Sequence, residues 1–313
     1  LDAGSGGDGS VKSSKLDEIS GTVKLRIDKK ADQFATGDFT ASYKVSEGTG
    51  ASTTAKGTVQ LISKVDVTPG SGGDFKVYVC AGTGISASVK QGELEYIDGG
   101  IKGELHWKAA QLANYDLTAK YTAGSAPDFN GNGKLETVKA VKVAAFGGYE
   151  LYLGVGANVT GSVKAFALEK LTANIPLELH KPAGTPVVKA ELQGVYTHAN
   201  TNFDGSGKAE VVKQIVIAEG VGSKGYSFYL EPSSGVNVEV KTNALKQVDG
   251  TLTILVNDAP GSDNAFLKAT AKATYKGGDA NTVDVDGKLE VLRDKEMVTS
   301  AGGYVVYLQK GSE

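Results

Sequence analysis

Between residues 128 and 136 the chain reads Asp128-Phe129-Asn130-Gly131-Asn132-Gly133-Lys134-Leu135-Glu136. Oxygen-bearing side chains fall at every second position, glycines permit a sharp turn, and a carboxylate follows. Asp128, Asn130, Asn132 and Glu136 would then converge hard oxygen ligands on one point, which is what calcium requires. The pattern returns as Asn202, Asp204, Ser206 and Glu210, and again as Asp284, Asp286 and Glu290. Its first counterpart, Ser52-Thr53-Thr54-Ala55-Lys56-Gly57, has no carboxylate. Gly57, Gly133, Gly207 and Gly287 share one offset in these stretches, as expected where each turn needs a positive φ. Asn-Gly and Asp-Gly also form ordinary hairpin turns, so calcium loops and plain turns both stay open.

The stretch 128–136 resembles the calcium loops of dockerin and of integrin-type propeller repeats, a likeness confined to those loops. It departs from the EF-hand pattern at Lys139, where that pattern has a bidentate Glu. Other chemistry has less material. His106 and His180 hold equivalent places in two strands a whole repeat apart and read as partly exposed strand residues. A neutral imidazole such as His198 is a poor calcium ligand. Cys80 is the single cysteine, which rules out an intramolecular disulfide and reads as a small packed residue. No nucleophile elbow, P-loop or dinucleotide fingerprint is present. No enzymatic activity is expected.

The elements that must position these residues are strands. The 313 residues include 42 glycines but one Met and one Trp, and Val, Thr and Ala are abundant, as in short strands and tight turns. The net charge of −3 carries no basic block, and Arg26 and Arg293 are the only arginines, so no nucleic-acid partner is expected. No run of about 18 apolar residues exists, so no membrane-spanning helix is expected.

Landmarks repeat along the chain. Val11-Lys12, Val89-Lys90, Val163-Lys164 and Val240-Lys241 are each followed, five residues after the Val, by Leu16, Leu94, Leu168 and Leu245. Their spacing of roughly 75 residues suits a small β module or a propeller blade. The expected fold is all-β: a flexible arm over 1–10, then four tandem antiparallel units over 11–88, 89–162, 163–239 and 240–313. About five strands are read in each unit. Gly21 to Ile27, with every other residue apolar, is the clearest second strand. The fourth strand is expected to follow the glycine turn, from Thr58, Lys134, Lys208 and Lys288. A Tyr-rich fifth closes each unit, as Tyr149 to Leu153 does. Pro176 falls inside a strand and demotes it to an edge or a bulge. The strand tyrosines read as packing area with a polar tip, or as a carbohydrate platform.

The last unit stops after its Tyr-rich strand, and the chain begins with the Val-Lys strand that would come next. Three arrangements satisfy this edge: closure on the same chain, docking into a neighbouring molecule, or simple truncation with polar caps. Docking gives a heterologous, head-to-tail polymer. The favoured function is therefore an extracellular filament or surface-layer subunit that donates its N-terminal strand. The alternative is a monomeric, calcium-stabilised binding module for a glycan or protein. Leu1-Asp2-Ala3-Gly4 is an unusual start for a translation product, so a removed leader and a secreted, cell-surface location are expected.

Overall fold

The structure is a computed structural model, and it describes residues 3–29, 32–46, 50–68, 74–182, 184–232, 234–260, 265–278, 281–299 and 302–313. Strands make up 75% of it and helix about 1%, which fixes the all-β class. From the N-terminus come Gly6–Lys12 (β1), Lys15–Lys29 (β2), Asp32–Ser46 (β3), Gly50–Leu61 (β4), Val65–Asp66 (β5) and Phe75–Val79 (β6). The same succession recurs as Gly84–Lys90 (β7), Glu93–Trp107 (β8), Ala110–Thr122 (β9), Asp128–Thr137 (β10), Val141–Phe146 (β11) and Tyr149–Leu153 (β12). It continues as Asn158–Lys164 (β13), Ala167–His180 (β14), Pro186–Thr197 (β15), Asn202–Val211 (β16), Ile215–Val221 (β17) and Tyr226–Leu230 (β18). Last come Gly235–Lys241 (β19), Ala244–Asn257 (β20), Ala265–Lys276 (β21), Thr282–Val291 (β22), Lys295–Thr299 (β23) and Val305–Leu308 (β24).

Two expectations need correction here. Gly6 to Ser10, read as part of a flexible arm, belong to β1 and pair with β2 from Gly6↔Thr22 to Ser10↔Glu18. A strand that donates to a ladder is ordered by it, whatever its glycine content; Leu1 and Asp2 of that arm lie outside the described residues. The expected fourth strand begins earlier, with the oxygen-rich stretch itself, and breaks after Leu61, Thr137, Val211 and Val291 into two pieces.

Contacts gather the strands into two units, Leu1–Lys139 with Asn158–Thr172, and Ala140–Ala157 with Ala173–Glu313. In the first, antiparallel neighbours run β1, β2, β3, β4, β7, β8, β9, β10, β13. In the second they run β15, β16, β19, β20, β21, β22. The Val-Lys landmarks are tight hairpins. Val11, Val89 and Val240 sit opposite Leu16, Leu94 and Leu245 beside a bulge. The turn pairs Ser13-Ser14, Gln91-Gly92, Ala165-Phe166 and Thr242-Asn243 all have positive φ, from 48° to 82°. That is the geometry of a two-residue type I′ turn, whose twist matches the strands.

Alternation gives each unit one apolar and one polar face. The polar face is stitched by opposite charges across the ladder: Lys24↔Asp38, Asp98↔Lys120, Asp116↔Lys134, Glu191↔Lys208 and Lys272↔Asp286. The apolar face is covered by little. Among the described residues only nine apolar side chains are buried, and the accessible surface is 19445 Å². Two separate compact bodies of half this mass would together expose only ~15,000 Å². What core exists sits where the long strands break, around Ala35, Ala113, Val187 and Phe266.

Candidate functional site

The break in each long strand creates a fork. Along β8, the half from Glu93 to Gly100 pairs with β7 and the half from Gly103 to Trp107 pairs with β6. β20 divides in the same way between β19 and β18. One backbone unit at the fork faces neither strand fully, and an unpaired buried N–H is costly. A hydroxyl serves it. Thr83 Oγ1 accepts from Lys102 N at 2.9 Å and donates to Lys102 O at 3.2 Å. Ser234 Oγ accepts from Thr253 N at 3.0 Å and donates to Thr253 O at 3.3 Å. Ser5 serves Lys24 likewise, at 2.9 and 3.3 Å. At the remaining fork Ala157 takes the hydroxyl's place and Pro176 takes the place of the N–H it would serve. Gly154 N still donates to Pro176 O at 2.7 Å, as Cys80 N does to Lys102 O and Glu231 N to Thr253 O. Pro176 is thus tolerated in mid-strand because that position needs no donor.

The stretches expected to ligate calcium are strand, and this overturns the loop reading. Asp128, Asn130, Asn132 and Glu136 lie on β10, paired residue by residue with β9. Asn202, Asp204, Ser206 and Glu210 lie on β16, and Asp284, Asp286 and Glu290 on β22. In a strand, residues two apart share a face with their Cα atoms ~6.8 Å apart, so a row of oxygens is strung along the ladder and does not wrap around one point. Calcium needs its oxygens to converge at ~2.3–2.6 Å, so the alternation that implied ligation spreads the ligands out instead. The oxygens have nearer partners. Asn130 Nδ2 donates to Asp128 at 2.6 Å, Glu210 pairs with Lys208 at 2.8 Å, and Asp204 accepts from Thr242 N at 2.8 Å. Among the described residues no three His, Cys, Asp or Glu side chains gather as a metal site.

The shared glycines have a different cause as well. Gly57, Gly133, Gly207 and Gly287 are absent from the positive-φ residues. Each instead faces a cross-strand partner: Phe39, Leu117, Leu192 and Ala271. A Cβ on Gly57 would meet the Phe39 ring at 2.6 Å, on Gly133 it would meet Leu117 at 2.9 Å, and on Gly207 Leu192 at 3.0 Å. The large side chains lie flat across their glycines.

One cluster was legible in the sequence and overlooked. Glu104-Leu105-His106 and Glu178-Leu179-His180 are the same tripeptide, and the strand places Glu and His on one face. His106 Nε2 lies 2.7 Å from Glu104, and His180 Nε2 lies 2.9 Å from Glu178. Each imidazole meets a tyrosine ring on the neighbouring strand, Tyr78 at 4.8 Å and Tyr152 at 4.7 Å. Lys64 pairs with Glu104, and the Cys80 thiol donates to the other carboxylate oxygen at 3.6 Å. The hydrogen bonds from Lys64 and His106 hold the Glu104 carboxyl below its ordinary range. Burial, and then the Glu104 charge, push the Cys80 thiol up. A thiol so placed is a weaker nucleophile than a free one. The cluster fixes charges and orients rings; it does not activate a sulfur.

The remaining distinctive surfaces are edges. Among the described residues β1 pairs with β2 alone, β22 with β21 alone and β24 with β23 alone. Beyond β24, Gly311 N donates to Val291 O at 2.9 Å and Val291 N to Ser312 O at 3.0 Å. Gly82, Thr83 and Leu61 make the same pair of bonds just before β7 joins β4. No family model, no curated protein and no solved structure matches this chain.

Proposed function

We propose that this protein is a structural subunit of an extracellular or cell-surface assembly, extended by strand pairing between copies. One observation supports the reading: the edges of β22 and β1 match joints already used inside the chain. β4 receives β7 from Gln60↔Gly84 to Thr54↔Lys90, and β16 receives β19 from Glu210↔Gly235 to Gly205↔Val240. β22 carries the β16 pattern and β1 the β19 pattern. The same register sets Gly6 of one copy opposite Glu290 of the next, and Asp8 opposite Lys288. It also sets Tyr307 opposite Arg26. Opposite charges across a ladder stabilise it, and like charges there are destabilising. The joint is heterologous, so it propagates or closes into a ring according to curvature.

The test is a charge exchange followed by light scattering and electron microscopy of the full chain. Wild type is expected to form higher-order species, Asp8→Lys to reduce them, and Asp8→Lys with Lys288→Asp to restore them. A wild type that stays monomeric at high concentration, or an assembly indifferent to both substitutions, would overturn the reading.

A further inference from the structure

We propose that the apolar face of each unit is a lipid-facing surface, bedded in the hydrocarbon of a bilayer, with the opposite face turned to water. The inference rests on the faces of the sheets and stands apart from the joint at their edges. On β3 the face reads Ala35, Gly37, Phe39, Ala41, Tyr43, and on β9 it reads Ala113, Tyr115, Leu117, Ala119, Tyr121. In the second unit β15 gives Val188, Ala190, Leu192, Gly194, Tyr196, and β21 gives Leu267, Ala269, Ala271, Ala273, Tyr275. Each stripe is nine residues long, but Ala35 and Ala113 at its far end are buried, so on β3 and β9 the open part runs seven residues, about 20 Å along the strand, which beds into a hydrocarbon layer ~30 Å thick from one side. Each ends on a tyrosine, an apolar ring with a polar tip, which is the residue type that marks the membrane–water boundary.

Charge separates the two faces completely over this band. No Asp, Glu, Lys or Arg stands on the apolar side of β3, β9, β15 or β21 between those limits, while their polar sides carry Asp38, Asp116, Lys120, Lys189, Glu191, Lys268 and Lys272. An uncharged face complements an uncharged solvent. Its large side chains are open: Val23 is 40% exposed, Phe39 38%, Ile97 41%, Leu117 45%, Leu192 45% and Leu252 45%. Nine strands about 4.8 Å apart give the first unit alone an apolar area on the order of 1,000 Å². The largest patch on a typical soluble monomer is about 300–600 Å².

A second copy laid face to face is the other occupant that such an area would allow. The packing favours lipid. Sheets that pack on one another interdigitate upright side chains, whereas here Phe39 lies over Gly37 and Gly57, and Phe203 over Gly194 and Gly205. The face also holds an open groove of about 730 Å³ lined by Ile19, Ala41, Tyr43, Ala55 and Val89, relief that fluid chains fill without a matching surface. Antiparallel ladders satisfy the backbone within each sheet, and the edges at β1 and β22 must be paired or held at the water boundary, as hydrocarbon demands. The polar face has the complementary character. It holds open grooves of about 450 Å³ beside Thr118, Asn132 and Ser162, and about 380 Å³ beside Gln193, Ser206 and Asn237.

The experiment folds the full chain with phosphatidylcholine vesicles and floats them after washes at high salt and alkaline pH. Wild type should float, and lipids brominated in mid-chain should quench Trp107. Phe39→Lys with Leu117→Lys should cut the floated fraction at least tenfold. Thr40→Lys with Thr118→Lys, one residue along but on the polar face, should leave it unchanged. Circular dichroism confirms strand content throughout. A wild type that stays in the aqueous layer with native strand content overturns the proposal. Its sedimentation as a dimer, broken by Phe39→Lys, would identify a second copy as the occupant. The charge exchange at Asp8 and Lys288 alters assembly size without altering flotation, so the two readings fail separately.

Discussion

Replacing Ser234 by Ala removes one oxygen, and the fork sets what that costs. Ser234 is 1% exposed, and its Oγ is the acceptor of the Thr253 N–H at 3.0 Å. The Thr253 carbonyl keeps a second partner, Glu231 N at 2.9 Å, so it stays satisfied. The donor does not. A buried N–H left without an acceptor costs about 1–3 kcal/mol, and Ser234→Ala should destabilise by that amount. The fork at Ala157 and Pro176 shows the compensating change: where the hydroxyl is missing, so is the N–H. With Thr253→Pro already in place, Ser234→Ala should therefore cost no more than about 0.5 kcal/mol, which leaves a coupling of at least about 0.5 kcal/mol between the two sites. Urea unfolding of wild type, both single variants and the double variant, followed by circular dichroism, closes the cycle. Equal costs for Ser234→Ala in both backgrounds would refute the argument that the hydroxyl is there to serve that one donor.

Two further outcomes are expected. Gly57→Ala should lose about 1–3 kcal/mol as Phe39 is driven off its seat. Gly287→Ala, whose Cβ would meet nothing nearer than 4.0 Å, should be neutral or slightly stabilising; equal losses in urea would mean that the backbone, not the facing side chain, demands glycine. The pH dependence follows from Glu104, whose folded pKa is depressed by Lys64 and then His106. Its stabilisation is complete above the unfolded value of about 4.3 and is lost as pH falls through the lower folded value. Glu104→Gln should accordingly lose less stability than wild type between neutral pH and about pH 3 in acid urea titrations. Identical losses would show that the Lys64–Glu104–His106 cluster contributes nothing measurable.

The sequence by itself determined the strand class, the alternating faces and the landmarks. Those are local properties: period-two alternation persists whatever the partner, and the Val-to-Leu spacing of five is the width of a bulged hairpin with a two-residue turn. Glu104-Leu105-His106 and its copy at 178–180 were equally local, and the repeated tripeptide was there to be read. The oxygen-rich stretches were a different case. Asp128, Asn130 and Asn132 at alternate positions fit a ligand loop and a polar strand face equally well, and only the ten-residue ladder from β9 decided between them. The glycines at 57, 133, 207 and 287 likewise fit a positive φ or a facing side chain, and the facing residue comes from a neighbouring strand, 15 to 18 positions away. Pro176 looked like a disruption until the fork showed that its position needs no N–H. Composition showed how apolar the chain is, but only the tertiary structure placed that apolar surface on an open face, because exposure depends on what packs against a strand.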